Sequence, residues 1–358
     1  MQAATRLTRA GDLGAATRTI QQALRGGHPV PPGGGEVIDV QAHEVAEPGS
    51  ALRLPAPPDV TPPATAQPAT RPAAPRSGPQ DVFIAGAHSA AGLSRDYKLY
   101  VPPAAAADAR PLVVMLHGCT QDPDDFAAGT GMNALAREQG FFVLYPAQSA
   151  RANPQRCWNW FKSNHQRRGR GEPALLASMT QEIVARHGID ARRVYVAGLS
   201  AGGAMAALLG EAYPKIFAAI GVHSGLPRGS AHDASSALQA MGRGASVGAP
   251  AATLPTIVFH GDQDRTVHPR NGEQIAAGHA TAEPGAAEAV PGASGRASTR
   301  RVYRDADGRV RAEHWVVHGG GHAWSGGRSD GSYTDPAGPD AAREMLRFFL
   351  EHPRPAPG

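Results

Sequence analysis

The chain has 358 residues, 41% of them hydrophobic, and is long enough to bury a sizeable core in one large domain or two ordinary ones. Its 35 basic and 31 acidic residues leave a net charge of +4, too small an excess on this length to indicate a nucleic-acid-binding protein. No stretch approaches the roughly 18 consecutive apolar residues of a transmembrane helix, so the sequence predicts no membrane span.

The first 80 residues differ in composition from the rest of the chain. Residues 1–27 place Leu13, Ile20 and Leu24 at helical spacing, which predicts one short amphipathic helix. Residues 28–80 are dense in Pro, Ala and Gly and lack hydrophobic periodicity, which is typical of a disordered linker. We therefore expect one folded domain over residues 81–354.

From about residue 81, short apolar runs alternate with helical segments. The runs predict strands at 99–101, 112–116, 141–145, 194–197, 216–222, 256–259, 299–304 and 310–317. Helices are predicted at 132–139, 172–187, 201–213 and 338–351, and a surface excursion at 281–298. Several strands are apolar at every position, as expected for parallel strands covered on both faces. This alternation predicts a doubly wound α/β fold with a mostly parallel sheet.

The strand predicted at 194–197 runs into Gly-Leu-Ser-Ala-Gly at 198–202, and a helical segment follows. A Gly-x-Ser-x-Gly turn between a strand and a helix is typical of a nucleophilic serine on a strained backbone. Gly198 and Gly202 would remove the Cβ atoms that collide in such a turn. The alternative is an ordinary glycine-rich turn between a strand and a helix, without a catalytic role. Ser200 is the candidate nucleophile.

A serine hydroxyl is a weak nucleophile unless a base accepts its proton and an acid orients that base. The strand at 256–259 runs into a loop with two acidic residues, Asp262 and Asp264. Asp264 lies far enough beyond the strand for its carboxylate to bend back towards an imidazole, whereas Asp262 is expected to be a structural turn residue. His322 follows three glycines in the loop after the last strand and is the candidate base. The competing histidines after the acid are His268, His279, His314, His318 and His352.

The oxyanion that develops during acyl transfer needs hydrogen-bond donors. One expected donor is the backbone N–H of Ala201, directly after the nucleophile. The second donor is expected in the loop after an early strand, and the strand at 112–116 ends in such a loop with a His-Gly turn. The second donor is therefore predicted to be the N–H of Cys119. A plain turn is the alternative.

Two cysteines and three tryptophans lie near these motifs. Cys119 and Cys157 permit at most one intramolecular disulfide and fit no zinc-finger spacing. Trp158, Trp160 and Trp324 are either core residues or walls of a substrate pocket. The sequence contains no metal-ligand cluster and no phosphate-binding glycine loop, so we expect neither a metal nor a cofactor.

Five segments together resemble the polyhydroxybutyrate (PHB) depolymerase family of esterases, which have the α/β-hydrolase fold. They are Leu-His-Gly-Cys-Thr-Gln at 116–121, Cys-Trp-Asn-Trp at 157–160, Gly-Leu-Ser-Ala-Gly-Gly at 198–203, His-Gly-Asp-Gln-Asp at 260–264 and Gly-His-Ala-Trp at 321–324. The resemblance covers about residues 81–352. It implies a serine esterase whose Ser200, His322 and Asp264 form a triad that works through an acyl-enzyme. It also implies a disulfide between Cys119 and Cys157.

The substrate implied by the resemblance is a short-chain polyhydroxyalkanoate or its oligomers, with feruloyl or acetylxylan-type esters as the alternative. A peptidase of the same fold and a non-catalytic granule-binding protein are further alternatives. We expect no separate substrate-binding domain after the last helix, which favours an esterase or oligomer hydrolase over an enzyme that erodes crystalline polymer. The resemblance implies an extracellular protein. The first residues lack the apolar core of a secretory signal, which would fit a cytoplasmic protein, a mature form or a misassigned start. Nothing in the sequence indicates an oligomeric state.

Overall fold

The computed structural model describes residues 82–103, 109–246, 252–279, 284–291 and 295–355. The helix predicted at 1–27 and the linker predicted at 28–80 lie outside these residues, and the domain limits of 81 and 354 stay a prediction. Among the described helices, none has the length and apolar character needed to cross a membrane.

In the described residues the strands are β1 Val82–Ala90, β2 Leu93–Val101, β3 Leu112–Leu116, β4 Phe142–Pro146, β5 Val194–Leu199, β6 Ala219–His223, β7 Thr256–Gly261, β8 Glu288–Val290, β9 Ser298–Arg304, β10 Val310–Val317, β11 Trp324–Ser325 and β12 Thr334–Asp335. Of these described strands, β1 to β10 form one large sheet, in the order β1-β2-β4-β3-β5-β6-β7-β10-β9-β8, and β11 and β12 form a short parallel pair in a second sheet. The central strands from β4 to β10 pair in parallel, while the pairs at both edges are antiparallel. The predicted mostly parallel sheet is confirmed.

Helices cover both faces of the large sheet. They are α1 Pro123–Thr130, α2 Met132–Gln139, α3 Gly171–His187, α4 Ala201–Ala212, α5 Ala234–Arg243, α6 Arg270–Ala277 and α7 Ala341–Glu351. Neighbouring residues of β3 point to opposite faces: Val114 packs in a cluster with Leu176 of α3, and Val113 in a cluster with Phe126 of α1 and Phe349 of α7. Two-sided burial explains why β3 is apolar at every position.

Several elements differ from the sequence prediction. The strand predicted at 216–222 begins only at Ala219, because the N–H groups of Ile216 and Phe217 close a turn on the Tyr213 carbonyl. The sequence prediction missed β1, α1, α5 and α6 altogether. The excursion predicted at 281–298 contains β8, which pairs with β9 at the edge of the sheet.

The parallel strands place four loops at one edge of the sheet. The loops after β3, β5, β7 and β10 carry Cys119, Ser200, Asp264 and His322, respectively. Since the carboxyl ends of parallel strands share an edge, residues far apart in sequence meet there.

Candidate active site

Ser200 lies on a strained turn between β5 and α4. Its φ is +57° and its ψ is −118°, a conformation that residues with a side chain rarely adopt. A Cβ on Gly202 would lie 2.0 Å from the Leu116 carbonyl oxygen, and one on Gly198 would lie 2.4 Å from the Gly202 carbonyl. Both positions therefore require glycine, and the tight packing holds the serine in a strained conformation at the end of the strand.

Asp264 and His322 are hydrogen-bonded to each other. The His322 Nδ1–H donates to Asp264 Oδ2 at 2.7 Å, and Asp264 Oδ1 accepts the N–H groups of Thr266 and Val267, both at 2.9 Å. Because a carboxylate only accepts hydrogen bonds, it fixes the proton of the neutral ring on Nδ1 and leaves the lone pair on Nε2. This tautomer is the one that a general base requires.

The Asp264 carboxylate is buried but stays ionised. Burial raises the pKa of this carboxyl, yet the nearby ring of His260 and the hydrogen bond from His322 outweigh that effect and hold its pKa well below the usual range. His260 Nε2 lies 3.4 Å from Asp264 Oδ2 and donates to the Val267 carbonyl at 2.8 Å. Asp264 thus carries a fixed negative charge beneath the imidazole of His322.

The competing acid and bases are engaged elsewhere. Asp262 accepts hydrogen bonds from His318 Nδ1 at 3.0 Å and from the Gly319 N–H at 2.8 Å, which ties the turn after β7 to the loop after β10. His314 is buried within β10, and His268 Nδ1 accepts the N–H of Arg270. The structure therefore brings Asp264 together with His322, and Asp262 together with His318.

Hydrogen bonds hold the loop after β3 beside Ser200. A Cβ on Gly118 would lie 3.7 Å from the Ser200 Cβ. The Gly118 N–H donates to Gln121 Oε1 at 2.9 Å, and His117 Nδ1–H donates to the Gly118 carbonyl at 2.7 Å. Burial lowers the pKa of His117 to about 4, so its ring is neutral and its Nε2 accepts the N–H of Gln148.

Two backbone N–H groups beside Ser200 remain free within the described part of the chain. Those of Cys119 and Ala201 donate to no other protein group there, whereas the Thr120 N–H donates to the Gln155 carbonyl and the Ser200 N–H to the His223 carbonyl. Ala201 is also the first residue of α4, where the helix dipole favours negative charge. A pair of free donors of this kind is what a developing oxyanion needs.

A disulfide joins Cys119 to Cys157, as the resemblance implies. It connects the loop after β3 to the segment that contains Trp158 and Trp160. The bond is also a constraint on the unfolded chain, since the two cysteines are 38 residues apart.

Reduction of this disulfide is expected to lower the free energy of unfolding by about 4 kcal/mol, because the unfolded chain regains the entropy of an open loop. Urea denaturation of the protein with and without reductant measures the change, and thiol titration verifies that the bond is open. An unchanged denaturation midpoint after complete reduction would show that the bridge adds nothing to stability.

A buried ionic network anchors the segment after Cys157. Glu172 of α3 accepts hydrogen bonds from the side-chain amide of Asn159 and from its backbone N–H, both at 2.8 Å. Arg95 of β2 pairs with the same carboxylate at 3.0 Å, and both charged side chains are at most 5% exposed. Sequence reasoning missed this network because Arg95 and Glu172 are 77 residues apart and belong to no motif.

The three tryptophans proposed as pocket walls are buried. Trp158, Trp160 and Trp324 are 0%, 5% and 1% exposed, and all three belong to the hydrophobic core clusters. Trp324 stacks on the ring of His223 with 5.2 Å between the ring centroids. Their burial favours the core alternative. The aromatic ring exposed beside the site is instead Tyr333, which no sequence motif marked.

No group of His, Cys, Asp and Glu side chains in the described residues is arranged to hold a metal ion.

Residues 95–300 match the family model described as Esterase PHB depolymerase. The chain is 35% identical to poly(3-hydroxyalkanoate) depolymerase C of Paucimonas lemoignei, over 62% of this chain and 57% of that protein. It is 31% identical to the poly(3-hydroxybutyrate) depolymerase of Ralstonia pickettii, over 61% of this chain and 49% of that protein. The chain thus spans about half the length of the curated relatives it matches.

Among solved structures, the acetyl xylan esterase from Aspergillus awamori superimposes with a TM-score of 0.56 at 20% sequence identity. The match covers 72% of this chain and 94% of that chain. At this level of identity the similarity is one of fold, and it agrees with the α/β-hydrolase fold implied by the order of the motifs.

Proposed function

The chain belongs to the esterase PHB depolymerase family and has the α/β-hydrolase fold, and from this premise we propose that it is a serine esterase that hydrolyses short-chain polyhydroxyalkanoates or their oligomers. The observation that carries the proposal is the 2.7 Å hydrogen bond between His322 and the buried Asp264, at the sheet edge where Ser200 lies on its strained turn. The depolymerase relatives support the choice of a polyester over other esters.

The first half-reaction forms an acyl-enzyme. Ser200 Oγ attacks the ester carbonyl carbon while His322 Nε2 accepts the hydroxyl proton. The carbonyl oxygen becomes an oxyanion that accepts hydrogen bonds from the free N–H groups of Cys119 and Ala201. When the tetrahedral intermediate collapses, the bond to the alcohol oxygen breaks and His322 returns the proton to it.

The second half-reaction releases the acid. Water attacks the acyl carbon while His322 Nε2 takes one of its protons, and the same N–H groups stabilise the second oxyanion. The ester bond to Ser200 breaks, the serine oxygen recovers its proton from His322, and the carboxylic acid leaves. In both halves the negative charge of Asp264 stabilises the imidazolium as it forms.

A substrate panel on the purified protein tests this proposal. We expect hydrolysis of p-nitrophenyl butyrate and release of soluble hydroxyacids from 3-hydroxybutyrate oligomers, measured by absorbance and by chromatography. Faster hydrolysis of feruloyl or acetylated-xylan esters than of the oligomers would replace the polyester with those substrates. Cleavage of peptides with no hydrolysis of any ester would refute the esterase proposal.

A further inference from the structure

Tyr333 is an exposed aromatic residue in a strained conformation at the candidate site. Its side chain is 46% exposed, and its φ is +51°, which is rare for a bulky residue. The other large hydrophobic residues that are exposed in the described part of the chain are Val82, Ile84, Leu238 and Leu350. Backbone strain of this kind persists only where the surrounding structure enforces it, and it is concentrated at functional sites.

The backbone around Tyr333 is fixed from two sides. Its carbonyl accepts the N–H of Trp324 at 2.7 Å, which pairs β12 with the segment that follows His322. The preceding residue, Ser332, donates its N–H to Asp125 Oδ1 at 2.7 Å and accepts a hydrogen bond at its carbonyl from Gln121 Nε2 at 3.1 Å. Gln121 also accepts the Gly118 N–H at 2.9 Å, so one side chain contacts both the loop after β3 and the residue before Tyr333.

The ring of Tyr333 lies between His322, the proposed base, and Thr120 in the loop after β3. Its centroid is 6.5 Å from that of the His322 ring, and the two rings meet edge to face at 79°. Its hydroxyl is 3.3 Å from Thr120 Oγ1. Because Thr120 Oγ1 gives its own proton to the Cys119 carbonyl at 2.6 Å, the Tyr333 hydroxyl is the donor in this pair.

In the proposed reaction, Tyr333 lies on the side of the site where the alcohol part of the ester leaves. His322 must deliver a proton to the leaving alcohol, so groups beside its imidazole line the alcohol side of the scissile ester. An exposed ring there offers apolar surface to that part of the substrate.

We propose, on the basis of the proposed esterase function, that Tyr333 is a specificity-determining residue that packs its ring against the alcohol part of the ester. In a polyester the alcohol part is the next hydroxyacyl unit of the chain. The backbone hydrogen bonds of Tyr333 and Ser332 hold the residue in place, and the ring makes the contact.

Two esters with the same acyl group test this role. Methyl butyrate and the butyrate ester of methyl 3-hydroxybutyrate form the same acyl-enzyme when the butyrate ester is cleaved, so their rates of butyrate release differ only through the alcohol that leaves during acylation. Tyr333→Asn removes the ring with a residue that tolerates positive φ. We expect the preference of kcat/KM for the hydroxyacyl alcohol over methanol to fall by about tenfold in this variant. The preference for butyrate over acetate, measured with methyl esters, should stay unchanged.

Two further variants separate the ring from other effects. Tyr333→Phe keeps the ring and should retain the alcohol preference. Leu238→Ala removes a side chain that is 50% exposed on α5 and should leave all ratios unchanged. The assignment to the ring would be overturned if kcat/KM fell equally for both esters in Tyr333→Asn, or if Tyr333→Phe lost the preference for the hydroxyacyl alcohol. If Tyr333→Asn does not fold, Tyr333→Leu gives the same comparison, and an unchanged alcohol preference there would count against a specific aromatic contact. Wild-type protein that hydrolyses neither ester would instead refute the proposed function.

Discussion

Replacing Ser200 by Ala is expected to lower kcat for p-nitrophenyl butyrate by about 10⁴-fold or more, because no acyl-enzyme can form. The fold should survive, since the substitution removes one oxygen atom and leaves the positive φ and the packing of Gly198 and Gly202 as they are. Initial rates together with the thermal unfolding midpoint separate a chemical loss from a structural one.

Ser235→Ala is the matched control for this experiment, because Ser235 is exposed in the first turn of α5 and has the same side chain. Its activity should equal that of the wild type. Retained turnover in Ser200→Ala, with a confirmed sequence and no contaminating esterase, would remove Ser200 from the mechanism.

Asp264→Asn is expected to lower kcat by about 10⁴-fold while leaving the shape of the side chain unchanged. A neutral amide cannot stabilise the imidazolium, and its NH₂ group can donate to His322 Nδ1, which would place the ring proton on Nε2 instead. The measurement is kcat on the same butyrate ester, with circular dichroism to confirm that the variant is folded.

Asp262→Asn provides a close comparison, because Asp262 lies on the same turn and contacts a histidine of its own, His318. Asp262 is partly exposed, so its loss should change stability by about 0.5 kcal/mol or less and leave kcat close to the wild-type value. The reverse pattern, with an active Asp264→Asn and an inactive Asp262→Asn, would transfer the acid role to Asp262.

The elements that position the candidate site were largely predictable from local sequence. The apolar strands β3 and β5 mark the parallel centre of the sheet, and Gly198 and Gly202 mark the tight turn at Ser200. The extra reach of Asp264 compared with Asp262 also agrees with the hydrogen bond to His322. Each of these signals lies within a few residues, where backbone geometry and burial act directly.

The remaining features depend on contacts between distant segments. The charge of Glu172 is matched by Arg95 across the fold, which no local pattern reveals. The helices α1 and α6 contain residues typical of turns, Gly129 in α1 and Asn271 and Gly272 in α6, so their local sequence does not indicate a helix. The three tryptophans flank the motifs and were therefore candidate pocket walls, yet tertiary packing buries them. The ring that is exposed is that of Tyr333, and the pairing of β11 and β12 sets its place beside His322.

Covalent labelling identifies the nucleophile without altering the sequence. The wild-type protein is incubated with a fluorophosphonate, residual hydrolysis of p-nitrophenyl butyrate is followed, and the modified residue is located by peptide mass spectrometry. We expect one phosphonylated residue, Ser200, with activity lost in proportion to the labelling. Full activity after stoichiometric labelling, or inactivation through a different residue, would contradict it.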